Sequence, residues 1–108
     1  MITGRCLCGA NRFELDAGAG PVTACHCSRC RKYSGNYAAS IDVDAGALRW
    51  TTQGNVRRFA HSAGTVRAFC GTCGTKLWFE YADGGMSLEA GLLDAPTGTN
   101  LAAHIFVA

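Results

Sequence analysis

Apolar and polar positions trade places in short runs along this chain, and none keeps a three-to-four-residue period long enough for an extended helix. Arg12-Phe13-Glu14-Leu15 alternates as a half-buried strand does, and residues 16–21, rich in Gly and Ala, form a loop. Val22-Thr23-Ala24 then runs extended into a cluster of cysteines. Residues 36–43 and 47–51 read as strands, the second carrying Trp50. Residues 56–61 and 65–70 flank Ser62-Ala63-Gly64, a three-residue connection ending in Gly that suits a hairpin. Further strands follow at 75–81, 86–90 and 101–107. One short helical turn is expected over 28–34, with Ser28 as its N-cap and Gly35 ending it. Fourteen glycines and only two prolines between short apolar runs fit many turns joining short strands, which predicts a mainly β domain.

At 108 residues the chain is expected to form a single domain over 1–108, small enough for a metal crosslink to matter to its stability. It is 48% hydrophobic and 17% charged, and no apolar run approaches the roughly 18 to 20 residues that cross a bilayer. The net charge of +2 is spread along the chain, so nothing electrostatic points to nucleic acid or to a membrane. The first residues lack the apolar core of a secretory signal, which makes the reducing cytoplasm the default compartment.

Seven cysteines cannot all pair as disulfides, and in a reducing compartment metal ligation is the better use of them. By spacing they divide into Cys6-x-Cys8, Cys25-x-Cys27-x2-Cys30 and Cys70-x2-Cys73. Three wirings are open. Cys6, Cys8, Cys70 and Cys73 can close one structural site and leave Cys25, Cys27 and Cys30 as a second, open one. Cys27 and Cys30 can join Cys70 and Cys73 as a zinc ribbon, leaving Cys6, Cys8 and Cys25 over. A single metal can be bound while the remaining thiols lie inert in the core. The first is the most economical, because it uses every cysteine. A zinc with three protein thiolates keeps its fourth position for water or substrate, whereas a four-ligand site has only a structural role.

Three stretches together, Gly4-Arg5-Cys6-Leu7-Cys8-Gly9, Cys25-His26-Cys27-Ser28-Arg29-Cys30-Arg31-Lys32, and Arg67-x-Phe69-Cys70-Gly71-x-Cys73-Gly74-Thr75, followed by His104-Ile105-Phe106-Val107, resemble the glutathione-dependent formaldehyde-activating enzyme family over essentially the whole chain. The resemblance implies a β-rich Mss4-like fold, the outer two cysteine pairs as structural zinc ligands and Cys25, Cys27 and Cys30 as ligands of a functional zinc. It implies two zinc ions per chain, glutathione as co-substrate, and a carbon-sulfur lyase or S-(hydroxymethyl)glutathione synthase type of reaction with a small aldehyde such as formaldehyde. The competing class is a non-catalytic, zinc-stabilised module that binds glutathione or a protein partner.

Neighbouring residues have two readings each. His26, between two ligands, is either a pocket residue that carries a proton and meets the thiol substrate, or a residue of the surface or of the layer supporting the ligands. Arg29, Arg31 and Lys32 either grip the carboxylates of a glutathione-like thiol or form a solvated helical face. His61 and His104 are candidates for a fourth ligand, or ordinary strand histidines. Phe59, Phe69, Trp78 and Phe79 are expected in the core, since alternating strands bury such side chains as a matter of course.

Overall fold

The computed structural model describes residues 1–16, 20–60, 64–94 and 99–107. Ten strands are present among them: β1 (Ile2–Arg5), β2 (Asn11–Leu15), β3 (Val22–Cys25), β4 (Ala38–Val43), β5 (Leu48–Gln53), β6 (Val56–Ala60), β7 (Val66–Cys70), β8 (Lys76–Glu80), β9 (Met86–Glu89) and β10 (Leu101–Ile105). One helix, α1 (Ser28–Ser34), follows β3. The mainly β fold expected from the alternation is therefore what the chain forms. The radius of gyration, 13.0 Å, matches that of one compact body of this length. No described helix is long and apolar enough to cross a membrane.

Two sheets are built. Strands β1, β2 and β5 form a three-stranded antiparallel sheet in the order β1-β2-β5, and the other seven form a sheet in the order β10-β3-β4-β9-β8-β7-β6. The predicted hairpin is present as β6 and β7, with Val56 opposite Cys70 and Ala60 opposite Val66, while residues 61–63 of its turn lie outside the described residues. Three pairings have no local signature in the sequence: β9 pairs with β4, β5 pairs with β2, and β10 lies parallel to β3. Strand β1 is likewise an addition to the predicted set.

The core lies where the two sheets meet. Phe13 and Leu15 of β2 are about 1% exposed, and Trp50 of β5 bridges Phe13 and Trp78, its ring centroid 5.3 and 5.2 Å from theirs. Fully burying side chains of this size stabilises by roughly 1.5–3 kcal/mol each. Consecutive residues are buried on three strands of the large sheet: Arg67 and Ala68, Leu77 and Trp78, Ser87 and Leu88. Both faces of that sheet are thus covered. One face packs on the core; the other faces α1 and carries a cavity.

The aromatic expectation holds only for Trp78, which is 5% exposed. Phe59 is 50% exposed, because β6 is the last strand of its sheet, and Phe69 and Phe79 are half-buried. Phe79 lines the cavity described below, since the pleat that sends Trp78 into the core sends its neighbour to the other face.

Candidate metal centres and the adjoining cavity

Cys6 leaves the end of β1, Cys8 sits in the turn to β2, Cys70 ends β7, and Cys73 lies in the turn to β8. Both turns close on a left-handed glycine, Gly9 at φ 80° and Gly74 at φ 79°, a conformation that side chains disfavour and glycine does not. The turns are fixed by backbone bonds from Gly9 N–H to Cys6 O at 3.1 Å and from Gly74 N–H to Cys70 O at 2.8 Å. Thr75 ties them together: its hydroxyl accepts from the Leu7 N–H at 3.1 Å and lies 3.0 Å from the Cys73 Sγ. The hydroxyl and N–H of Thr75 hold the Cys73 thiol down, to about 5.

The four sulfurs lie within 4.8 Å of one another. Cys6 and Cys8 Sγ are 3.6 Å apart, and Cys8 and Cys70 Sγ 3.8 Å apart. A disulfide would bring two sulfurs to about 2.05 Å, whereas four thiolates about 2.3 Å from one tetrahedral zinc lie about 3.8 Å apart. The donor set fits a zinc ion. Asn11, 0% exposed, supports it from behind: its N–H and Nδ2 face the Cys6 Sγ at 3.4 and 3.7 Å, and its Oδ1 accepts from Gly54 N–H at 2.9 Å.

The middle cysteines converge at the junction of β3 and α1. Cys25 is the last residue of β3, Cys27 caps the helix, and Cys30 lies in its first turn. Ser28, expected as the cap, is instead the first helical residue. Cys27 has the extended backbone of a cap, φ −60° and ψ 160°, and its Sγ accepts from Cys30 N–H at 3.5 Å, a role the sequence rules assign to oxygen side chains. Gly35 ends the helix at φ 93°, as expected. The three sulfurs lie within 4.8 Å of one another, and no fourth His, Cys, Asp or Glu joins them among the described residues.

These thiols are set apart electrostatically. Burial pushes Cys30 up to about 12, helped by the neighbouring Cys25 thiol and opposed by Arg67, whose Nη2 is 3.8 Å from its Sγ. Cys27 is lowered: burial acts upward, but the Cys30 N–H and the adjacent thiols outweigh it. A coordinating cation deprotonates a bound thiol outright, which would overrule the Cys30 preference.

A cavity of about 450 Å3 opens beside this triad. Its floor is one face of the large sheet, where alternation and register bring together Thr23 and Cys25 of β3, Ser40 of β4, Glu89 of β9, Phe79 of β8 and Arg67 of β7. Arg67, 6% exposed, is held between two rings, its guanidinium carbon 4.9 Å from the Tyr33 centroid and 4.6 Å from that of Phe79. Burial pushes the Glu89 carboxyl up to about 7, although the charges of Arg67 and Lys76 pull it back.

The helix distributes its cations over two sides. Arg29 lines the cavity and also a neighbouring groove of about 520 Å3, which contains Lys32, Tyr33 and Phe59 as well. Arg31 turns the other way, into a third depression shared with His26 and Phe106. His26 is absent from the lining of the triad cavity; its Nε2 lies 2.7 Å from the Nδ1 of His104. That pairing accounts for His104, which does not join the three sulfurs, while His61 lies outside the described residues. Arg67 and Glu89 are charged cavity residues to which cysteine spacing assigned no role, Arg67 standing only in the family-like stretch Arg67-x-Phe69-Cys70. Their signal was a charge in a short, largely apolar strand, within Val-Arg-Ala-Phe and at the end of Met-Ser-Leu-Glu.

The model of the glutathione-dependent formaldehyde-activating enzyme family matches residues 1–108. A Schizosaccharomyces pombe protein described as an uncharacterized lyase is 32% identical over 82 residues, 75% of this chain, and the match spans 58% of that relative's length. Among solved structures, a Rhodobacter sphaeroides protein studied as a structural genomics target superposes with a TM-score of 0.72 at 23% identity, covering 86% of this chain and 88% of that one. That likeness bears on the fold alone.

Proposed function

This chain belongs to the glutathione-dependent formaldehyde-activating enzyme family, and from that premise we propose that residues 1–108 form one zinc-dependent catalytic domain for the reversible addition of a thiol such as glutathione to a small aldehyde. The carrying observation is the contrast between the two sulfur clusters. Four sulfurs close one set in the outer cluster; three converge beside a cavity in the other, with no fourth ligand among the described residues. Cys6, Cys8, Cys70 and Cys73 would hold a structural zinc, and Cys25, Cys27 and Cys30 a functional one. When bound, zinc at the triad supplies a Lewis-acidic position at which an incoming thiol is held and made nucleophilic.

The chain's own residues supply the setting. Arg67 and Arg29 present positive charge to the cavity, favouring an anionic thiol and offsetting the charge of three thiolates. Lys32 extends that charge into the neighbouring groove, where it would receive the carboxylate of a glutathione-like ligand. The half-buried Phe79 forms an apolar wall that reduces competition from water. All seven cysteines are free, in keeping with a reducing, cytoplasmic setting.

The direct test follows the exchange between free formaldehyde and its glutathione adduct by NMR, with and without the purified protein. Acceleration proportional to protein concentration, abolished in Cys27→Ser, is the expected result. Saturable glutathione binding without acceleration would convert the proposal into a non-catalytic thiol-binding module.

A further inference from the structure

Adding a thiol to an aldehyde moves a proton as well as forming a bond. The S–H proton leaves, the carbon-sulfur bond forms, the π pair of the carbonyl moves onto oxygen, and that oxygen ends as O–H. A site that accelerates the reaction gains from a group able to hold the proton between those events, near the oxygen and shielded from bulk water.

The cavity contains few such groups. Asp42 is exposed and so open to bulk water. Tyr81 is 40% exposed and its hydroxyl donates to Ser87 Oγ at 3.3 Å. Tyr33, pushed up to about 12 by burial, belongs to the adjoining groove. Glu89 remains. It is half-buried, it lines the same cavity as the three cysteines, and its carboxylate makes no hydrogen bond or ion pair among the described residues.

Register places it well. Cys25 opposes Ala38, two residues along β4 is Ser40, and Ser40 opposes Glu89. Glu89 and Cys25 therefore share a face two strands apart, with Cα atoms roughly 12 Å from each other by ordinary strand spacing. Side chains reaching inward from both ends leave room between them for the carbon-sulfur-oxygen unit of the adduct.

We propose that Glu89 is the proton carrier of the thiol–aldehyde reaction, taking the proton released by the thiol and delivering it to the carbonyl oxygen as the carbon-sulfur bond forms. In reverse, the Glu89 carboxylate removes the hydroxyl proton as that bond breaks, and no other reactant is needed. This rests on the proposed thiol–aldehyde function. A carboxyl held near 7 suits both directions at neutral pH. The charged and titratable groups around it are Arg67 of β7, Lys76 of β8, Arg29 and Tyr33 of α1, Asp42 of β4, Tyr81 after β8 and the three cysteines.

The test compares wild type, Glu89→Gln and Glu89→Asp for kcat and KM of adduct formation from pH 5.5 to 8.5, with zinc per chain measured on each. The expected result is a fall in kcat of about 100-fold or more in E89Q, little change in KM for the thiol, unchanged zinc, and loss of the limb near pH 7. E89D should regain part of the rate and a limb, which a purely structural role would not restore. An E89Q rate within threefold of wild type with the same pH limb would overturn the Glu89 role and leave the proposed function standing. Failure of the wild type to outpace buffer would overturn both.

Discussion

Replacing Glu89 by Gln should change how stability depends on pH, apart from any effect on catalysis. The carboxyl titrates at its ordinary 4.5 when the chain is unfolded and at about 7 when burial surrounds it in the fold. A group raised on folding contributes stability that is full below the unfolded value and is lost as pH rises to the folded one. The whole loss between 4.5 and about 7 is about 3 kcal/mol, and about 1 kcal/mol of it falls between pH 6 and pH 8. For a domain of roughly this size, that corresponds to about 4 to 8 °C in Tm. The assay is thermal unfolding of wild type and E89Q at half-unit steps from pH 6 to 8, with zinc present throughout. Taking the difference between the two removes the titrations that do not depend on Glu89. The wild-type Tm should fall relative to E89Q by that amount across the window. Parallel curves would refute the burial argument.

Other consequences follow from the two sulfur clusters and their supports. Cys6→Ser should lower Tm sharply or prevent folding, because structural zinc contributes roughly 10 to 16 kcal/mol of apparent binding energy, whereas Cys27→Ser should leave a folded domain; thermal melts of the pair check this. Asn11→Ala removes the bonds that the buried side chain makes to Cys6 and to Gly54, and should cost about 1–3 kcal/mol in denaturant unfolding. Arg67→Met, which keeps bulk between Tyr33 and Phe79 but removes the charge beside Cys30, should raise the dissociation constant for glutathione about tenfold, as read by calorimetry at low salt.

The cysteine clusters were legible in the sequence because their ligands come in tight local pairs and triplets, and turns as short as Cys70-Gly-Thr-Cys73 dictate convergence almost unaided. The joining of Cys6 and Cys8 to Cys70 and Cys73 is a long-range event, read from economy and family likeness, and the fold places these sulfurs together. Strand content was legible for the same local reason, since alternation at Arg12-Phe13-Glu14-Leu15 is a property of neighbours. The cavity was not. Glu89 and Arg67 meet the triad only because β9 inserts between β4 and β8 and β7 follows beyond, and no periodicity within Met-Ser-Leu-Glu encodes that order. Phe79 was assigned to the core by a rule that assumes one buried face, and the large sheet has both faces covered. Cys27 displaced Ser28 as helix cap because the chain turns into α1 one residue earlier, with the thiol already aimed at the Cys30 N–H.

The central claim is that one sulfur cluster is closed and the other open, and zinc per chain tests it most directly. Freshly purified protein, kept reduced, would be saturated with zinc, dialysed and measured by elemental mass spectrometry beside Cys27→Ser prepared in the same way. The account predicts two zinc ions per chain in the wild type and one in the variant, with the lost ion the one whose sulfur ligation is completed by added glutathione in X-ray absorption spectra. A wild type that stops at one zinc under saturating conditions would contradict it, as would two ions that each show four protein sulfurs or nitrogens.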